Sequence, residues 1–309
     1  MSLRALPAAA ALFVLLTGKV MAGPFAYVTA YDETYQVDLA TRNAALLGKN
    51  GRYGTQPVVF KGIAFSPNGV LYGASDNTKT LFRLDAPGSS TNAVGPLGLN
   101  GQGDPANFDA LDLGFAVGCD GQQWLTSTYA RKLWRMPSNS STPIFVGNLG
   151  AKITGIATRG RDLYGFGSLG DDGFFRIDPA TGRTTLIRAY PNLAGRASSM
   201  WPAFDSTGQL WVVITYMPPP TGGPGSKWSD LAKVDAATGE MTILGPVTGP
   251  ESLEDIGIQG FAIAAPTACQ GGADPVTPVP AVSPLANVLL GSLLALGALF
   301  GLRRRVVKV

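Results

Sequence analysis

The amino-acid sequence predicts an all-β protein, a five-bladed β-propeller between an N-terminal signal peptide and one C-terminal transmembrane helix. Three observations predict it: a repeated unit of four short strands, incomplete units at both ends of the array, and apolar segments at both ends of the chain. The expected divisions are a signal peptide at 1–22, the propeller at 23–269, a linker with a short motif at 270–284, the membrane helix at 285–302 and a basic tail at 303–309.

Four complete copies of one unit occur between residues 62 and 244. The first copy contains Gly-Ile-Ala-Phe, Leu-Tyr-Gly, Leu-Phe-Arg-Leu-Asp and Ala-Val-Gly, separated by turn residues. Short alternating or apolar runs between Gly, Pro, Asn and Asp are typical of strands. The stretches Asp178-Pro-Ala-Thr-Gly182 and Asp235-Ala-Ala-Thr-Gly239 predict tight hairpins with glycine in the left-handed conformation. A unit of about 40 to 57 residues suits a four-stranded propeller blade.

The incomplete units at the two ends complement each other. Residues 25–28, 35–38 and 45–48 match the second, third and fourth strands, whereas Ile258–Ile263 matches a first strand. Together they would complete a fifth blade and leave no open sheet edge. The alternative, an open stack of hairpins, would leave both terminal edges unpaired.

The chain ends predict export and anchoring. Arg4 precedes an apolar run, and Val20-Met21-Ala22 offers a cleavage site, which together indicate a removed signal peptide. A retained N-terminal anchor is the alternative. Residues 285–302 form an apolar run of 18 residues, which as a helix spans about 27 Å, enough to cross a bilayer core. The cluster Arg303, Arg304 and Arg305 is expected to stay in the cytoplasm. A buried amphipathic helix is the alternative, but the run has no polar face.

A short motif, Val279-Pro280-Ala281-Val282-Ser283, precedes this helix and its arginine cluster. The arrangement resembles the exosortase-type sorting signals of bacteria, and is closer to the Ile-Pro-Thr-Leu variety than to the Pro-Glu-Pro variety. The resemblance implies an exosortase-type membrane enzyme as a partner, which would cut near the motif and make the helix a temporary anchor. The ectodomain would lie outside the inner membrane, or be released to the cell surface or matrix. The repeats are similar to those of secreted propellers that accompany such tails.

Composition excludes several function classes. Six of the 24 basic residues lie in the two end segments, which contain no acid, so the ectodomain carries 18 basic against 21 acidic residues. This balance does not favour nucleic-acid binding. Histidine is absent, which excludes Ser-His-Asp and Cys-His nucleophile systems and histidine-ligated zinc. We expect no cofactor and no metal.

The two cysteines, Cys119 and Cys269, suit an oxidising exterior. A disulfide between them would close a loop of about 150 residues, for which chain entropy estimates ~5 kcal/mol of stabilisation. Both fall at the propeller end opposite to the blade connections, which favours the bond. Two separate thiols are the alternative.

The loops that connect blades share one face of a propeller with the loops between second and third strands. The candidate ligand-binding residues there are Tyr31, Asp76, Asp109, Asp112, Tyr129, Arg131, Asp172, Trp201, Trp228, Glu254 and Asp255. Aromatic rings stack on sugars and carboxylates accept hydrogen bonds from hydroxyl groups, so the mixture suits a glycan. The alternative is that these loops are polar because they meet water. The insertion at 216–228 is either a flap over this face or a neutral loop.

The expected function is therefore non-catalytic binding of a polymer, such as an exopolysaccharide, or of a protein partner at the cell surface or matrix. The alternative is a carboxylate-based glycan hydrolase or lyase on the same face. Two acids about 5 Å or 6.5–9.5 Å apart in a shared pocket would favour hydrolysis, and scattered acids would favour binding. A purely structural propeller is a third hypothesis.

Overall fold

The computed structural model describes residues 24–86, 90–217, 229–250, 253 and 256–263. All of them belong to one compact unit. The predicted signal peptide, linker, sorting motif, membrane helix and basic tail lie outside the described residues. Within the described part, no helix is long and apolar enough to cross a membrane.

Five antiparallel sheets of four strands form the fold, named here blades A to E from their order along the chain. Each is given from its innermost to its outermost strand. Blade A contains β22 (Gly260–Ile263), β1 (Phe25–Ala30), β2 (Glu33–Asp38) and β3 (Ala44–Lys49). Blade B contains β6 (Phe60–Phe65), β7 (Leu71–Ser75), β8 (Thr80–Ala86) and β9 (Ser90–Pro96). Blade C contains β10 (Leu113–Val117), β11 (Gln123–Ser127), β12 (Lys132–Met136) and β13 (Ile144–Asn148).

Blades D and E complete the ring. Blade D contains β14 (Ile153–Arg159), β15 (Asp162–Gly167), β16 (Gly173–Ile177) and β17 (Thr184–Ala189). Blade E contains β18 (Ala197–Phe204), β19 (Leu210–Tyr216), β20 (Ser229–Val234) and β21 (Met241–Pro246). A small hairpin of β4 (Arg52–Tyr53) and β5 (Gln56–Pro57) lies between blades A and B. Single 3-10 turns lie in the connection between blades B and C, at Pro105–Asn107, and in the connection between blades D and E, at Pro191–Leu193.

The predicted split blade is confirmed. Strand β22 pairs with β1 in an antiparallel register that sets Ala26 opposite Ile263 and Thr29 opposite Gly260. Each innermost strand also contacts the innermost strand of the next blade, in the cyclic order A, B, C, D, E and back to A. The five-bladed β-propeller is therefore a closed ring.

One position of the innermost strands explains how closely the blades approach. The strand register makes Gly62, Gly114, Gly155, Trp201 and Gly260 equivalent in the five blades. A Cβ atom on Gly62 would lie 2.7 Å from the backbone nitrogen of the next blade, and one on Gly155 would lie 2.2 Å from a carbonyl oxygen of blade E. Glycine is needed where backbones approach this closely. Blade E differs because it carries a tryptophan there.

The hydrophobic core is divided among the interfaces between neighbouring blades. Five clusters of buried apolar residues each combine side chains of two adjacent blades. The A–E cluster includes Tyr35, Trp201 and Leu231, and the D–E cluster includes Phe166, Phe174 and Met200. Burial of these faces stabilises the ring, since each blade is covered on both sides by its neighbours.

The predicted hairpin turns are confirmed. Asp178 accepts a hydrogen bond from the Ala180 amide at 2.9 Å, and Gly182 has φ 75°. Asp235 and Gly239 repeat this arrangement, with φ 72° at the glycine. Beyond these turns, every outermost strand carries a register shift at the equivalent position, which bends the outer edge of each blade.

Candidate functional site

We define the loop face as the blade connections together with the loops between second and third strands. In each blade, a backbone amide at the start of the following connection donates to a carbonyl at the end of the second-to-third-strand segment. Leu97 thus donates to Lys79 at 2.7 Å, and Leu149 donates to Arg131 at 2.8 Å. The two sets of loops therefore form one continuous layer at one end of the ring, as the sequence predicts.

Asp76 connects two of these loops. Its carboxylate accepts from Lys79 Nζ at 2.7 Å, from the Leu111 amide at 3.1 Å and from the Asp112 amide at 2.9 Å. Asp76 and Lys79 are 7% and 6% exposed. Because its oxygen atoms bind groups of the protein, Asp76 holds the connection between blades B and C in place.

The connection at residues 97–112 is stiffened by two further acids. Asp109 accepts from the Gly101 amide at 2.8 Å and from the Gly103 amide at 2.7 Å. These two backbone hydrogen bonds lower the pKa of Asp109. Asp104 accepts from the Ala106 amide at 3.0 Å and caps the 3-10 turn. The 97–112 connection is therefore held by hydrogen bonds between its own residues.

Phe108 lies at the tip of this connection, next to Asp109. It is 99% exposed and has φ 51°. Beside it, Asn107 Nδ2 donates to Tyr129 Oη at 3.3 Å, and Tyr129 is 41% exposed. Arg131, also exposed, ends the same loop as Tyr129. The structure thus places Asn107 in contact with Tyr129, next to the exposed Phe108, a residue that the sequence analysis missed. Its signal was a lone phenylalanine within a run of turn-forming residues.

The other predicted acids have separate environments. Asp112 forms an ion pair with Lys61 at 3.6 Å on the innermost strand of blade B. Asp172 is buried, accepts from the Gly170 amide at 3.1 Å, and has a pKa raised by burial. Tyr31, on blade A, is 47% exposed with φ 50°. Asp112 thus has an ionic partner and Asp172 a backbone partner, whereas the second carboxylate oxygen of Asp172, Oδ1, is buried without a hydrogen bond to any described residue.

The placement of Trp201 on the loop face is wrong. Trp201 lies inside β18, is 3% exposed, and packs in the cluster between blades A and E. The reason is that β18 begins at Ala197, earlier than the glycine-based unit pattern indicates. Its ring is buried between blades A and E and cannot stack on a ligand. Trp228, Glu254 and Asp255 lie outside the described residues.

A narrow cavity of about 70 Å³ lies on the ring axis and is lined by residues from every blade. Most of the residues that line it have apolar side chains, among them Ile63, Phe115, Ile156, Pro202 and Phe261. It extends to Cys119, at the end opposite to the loop face. Cys119 is disulfide-bonded. Cys269 lies outside the described residues, so the bond between the two remains a prediction.

The described residues offer no obvious metal centre. Across ranges 24–86, 90–217, 229–250, 253 and 256–263, no group of three or more acidic or cysteine side chains is arranged to hold a metal ion. The loop face therefore combines exposed aromatic and polar side chains with acids that already have hydrogen-bonding or ionic partners. Such an arrangement can contact a ligand by stacking and hydrogen bonding.

No family model matches the chain, and no curated protein matches it either. Among solved structures, a chain of a crystal structure of a nidogen/laminin complex matches with TM-score 0.50 and 13% identity, covering 80% of this chain and 100% of that one. Virginiamycin B lyase from Staphylococcus aureus matches with TM-score 0.43 and 13% identity, covering 79% and 92%. Kuenenia stuttgartiensis hydrazine synthase matches with TM-score 0.41 and 12% identity, covering 76% and 70%. The likeness to the first chain shows a shared fold and nothing further.

Proposed function

We propose that this protein is an exported binding propeller that holds a polymer on its loop face at the cell surface, without catalysis. The observation that supports this most is Phe108, which is 99% exposed at the tip of a connection stiffened by its own acids. Exposing a large apolar ring to water has a free-energy cost, which contact with a ligand would remove.

The aspartates of the loop face have protein groups as partners, which favours binding over hydrolysis. A carboxylate-based glycosidase needs two carboxyl groups that face one bound sugar. Asp76 binds Lys79 and two backbone amides, Asp109 binds two backbone amides, and Asp112 pairs with Lys61. Their oxygen atoms have structural roles in the loops, so they are poor candidates for an acid and a nucleophile.

The chemistry around Phe108 suits a carbohydrate. Phe108 and Tyr129 supply apolar ring faces, while Asn107 and Arg131 supply donors for hydroxyl groups. A connection that is already ordered loses little conformational entropy on binding, which favours affinity from a small contact area. We therefore propose a glycan polymer as the ligand.

Export and anchoring complete the proposal and rest on the sequence of the chain ends. The apolar run at 285–302 and the arginine cluster after it support a membrane anchor, and the motif at 279–283 supports cleavage by an exosortase-type enzyme. Fractionation of cells with an antibody to the propeller tests this. Protein found only in the cytoplasm would contradict it.

A glycan array probed with the full-length chain in mild detergent tests the ligand. We expect binding that falls about tenfold or more in Phe108→Ala and Tyr129→Ala. Leu186→Ala is the control, because Leu186 is 53% exposed on the outermost strand of blade D, away from the loop face. Unchanged binding in both loop variants would show that the polymer does not contact this region.

A further inference from the structure

An open groove runs down the outer side of the propeller between blades B and C. Its volume is about 470 Å³, and its lining includes Leu97, Leu99, Gln102, Lys132, Trp134 and Phe145. Leu97, Leu99 and Trp134 are each nearly buried and form an apolar floor. Gln102 belongs to the same connection as Phe108, so the groove continues from the loop face.

Lys132 is the charged group of this groove. Its Nζ donates to Gln102 Oε1 at 3.4 Å and lies 6.0 Å from the centre of the Phe145 ring. Within the part of the chain that the structure describes, no carboxylate lies within ion-pair distance of it. Lys61 and Lys79 of blade B differ from Lys132, since they pair with aspartates at 3.6 Å and 2.7 Å. The ammonium of Lys132 therefore has a positive charge and donor capacity without an acidic partner.

The repeated blade pattern does not require a lysine or a phenylalanine at the positions of Lys132 and Phe145. In strand register, the positions equivalent to Lys132 are Glu33, Thr80, Gly173 and Asp230. The positions equivalent to Phe145 are Leu46, Ala93, Leu186 and Ile243. Among these five described blades, only blade C combines a cation with an exposed aromatic ring here. Phe145 is 53% exposed, although its neighbours include the apolar floor.

We propose that this groove binds a carboxylated sugar residue, of the uronic acid class, within the polymer held by the loop face. The carboxylate would accept hydrogen bonds from Lys132 Nζ, and the apolar face of the sugar ring would lie on Phe145. A charge-assisted hydrogen bond beside an apolar surface is stronger than the same contact in open water. The inference rests on the proposed function and names the chemical class of its ligand.

Isothermal titration of the full-length chain in detergent tests the groove. The probes are a galacturonic acid tetrasaccharide and its methyl ester, which lacks the charge. We expect the acid to bind about tenfold more tightly than the ester, with weaker binding at high salt. Lys132→Gln and Phe145→Ala should each lower the affinity for the acid about tenfold, and Lys132→Arg should retain most of it.

Two variants serve as controls. Lys233→Gln removes another lysine that lies over an aromatic ring, 4.5 Å from the centre of Trp211, and Leu186→Ala removes the residue equivalent to Phe145 in blade D. Both should bind like the wild type. Thermal unfolding of every variant separates lost binding from lost folding. If Lys132 had only a structural role, Lys132→Gln would lower the melting temperature, and its loss of affinity would be the same for the charged and the uncharged probe.

The inference is overturned if the ester binds as tightly as the acid, if neither probe binds, or if Lys132→Gln and Phe145→Ala bind like the wild type. The proposed function has a separate outcome. If Phe108→Ala loses binding on the glycan array while Lys132→Gln keeps it, the loop face stands and the groove assignment fails. If both variants keep their binding, the loop-face proposal and the groove assignment both fail.

Discussion

The indole nitrogen of Trp201 donates a hydrogen bond to the carbonyl oxygen of Ile258 at 2.9 Å. Thr215 Oγ1 donates to the same oxygen at 2.7 Å, and the Ile258 amide donates to Ser229 Oγ at 3.0 Å. Ile258 lies just before the closing strand β22. Three side chains of blade E therefore fix the segment that leads the chain into its final strand.

Replacing Trp201 should destabilise the ring strongly. Trp201→Ala removes a buried ring and its hydrogen bond, so we expect a loss of about 3–5 kcal/mol in the free energy of unfolding. Urea unfolding followed by circular dichroism measures it. Leu186→Ala, at an exposed site, should change stability little. Equal midpoints for the two variants would mean that Trp201 does not secure ring closure.

The glycines equivalent to Trp201 should tolerate no side chain. In Gly155→Ala the new Cβ would lie 2.2 Å from the Met200 carbonyl oxygen and 2.6 Å from Pro202 Cδ. We expect a loss of about 2–3 kcal/mol from overpacking. Gly195→Ala is the comparison, since its φ is 69° and its Cβ would meet nothing within 4 Å, so backbone strain alone should cost about 1 kcal/mol. A larger loss at Gly195 would contradict the close approach of blades.

The ring could be predicted from the sequence because strand patterns and turn chemistry are local. Asp178 and Gly182 determine their turn among neighbouring residues, and the pairing of β1 with β22 follows from two complementary fragments. The start of β18 could not be predicted in the same way. The unit pattern depends on glycine, and Trp201 occupies the glycine position because blade E and blade A leave room for an indole there.

Removing the charge of Asp76 should leave Lys79 buried without a counterion. We expect Asp76→Asn to lower the free energy of unfolding by about 3–5 kcal/mol. Combining it with Lys79→Met should recover part of that loss, because the buried charge is then absent. The control is Asp162→Asn at the exposed ion pair with Arg176, which should cost less than about 1 kcal/mol. Denaturant midpoints that match between Asp76→Asn and the control would contradict the structural role.

Two aspartates of blade E should give opposite pH dependences. Burial raises the pKa of Asp230, whose carboxylate accepts a hydrogen bond from Tyr216. Its contribution to stability is therefore fully present below the unfolded value of about 3.9 and is lost as pH rises through the folded value. Asp230→Asn should be more stable than the wild type at pH 7, and this advantage should shrink as the pH falls towards 4.

Asp205 provides the opposite case. Burial alone would raise its pKa, but hydrogen bonds from Thr207, Trp211 and Gln209 outweigh it, and the pKa is lowered. The stability that the ionised Asp205 carboxylate contributes is therefore present above about pH 3.9, and it is lost as the pH falls through the lowered folded pKa. Asp205→Asn should therefore destabilise most at pH 7 and less at pH 3. Urea unfolding across this pH range measures both variants, and parallel curves would refute the assignment.

The candidate site was predictable only in outline. Which loops share a face follows from the order of strands, and Tyr129 and Arg131 lie there as expected. The role of Asp76 depends on amides 35 and 36 residues away along the chain, which no local pattern indicates. Phe108 is exposed because hydrogen bonds within its connection hold the backbone at φ 51°, and sequence composition alone does not distinguish such a residue from a buried one.

The pairing of β1 with β22 also determines when the ring of blades can close. The strand made first receives its inner neighbour only after the whole ring has been synthesised, because Ala26 is set opposite Ile263. Such distant pairing slows folding. A chain synthesised from its N-terminus would therefore hold blade A incomplete, and assembly would finish only when β22 has been made.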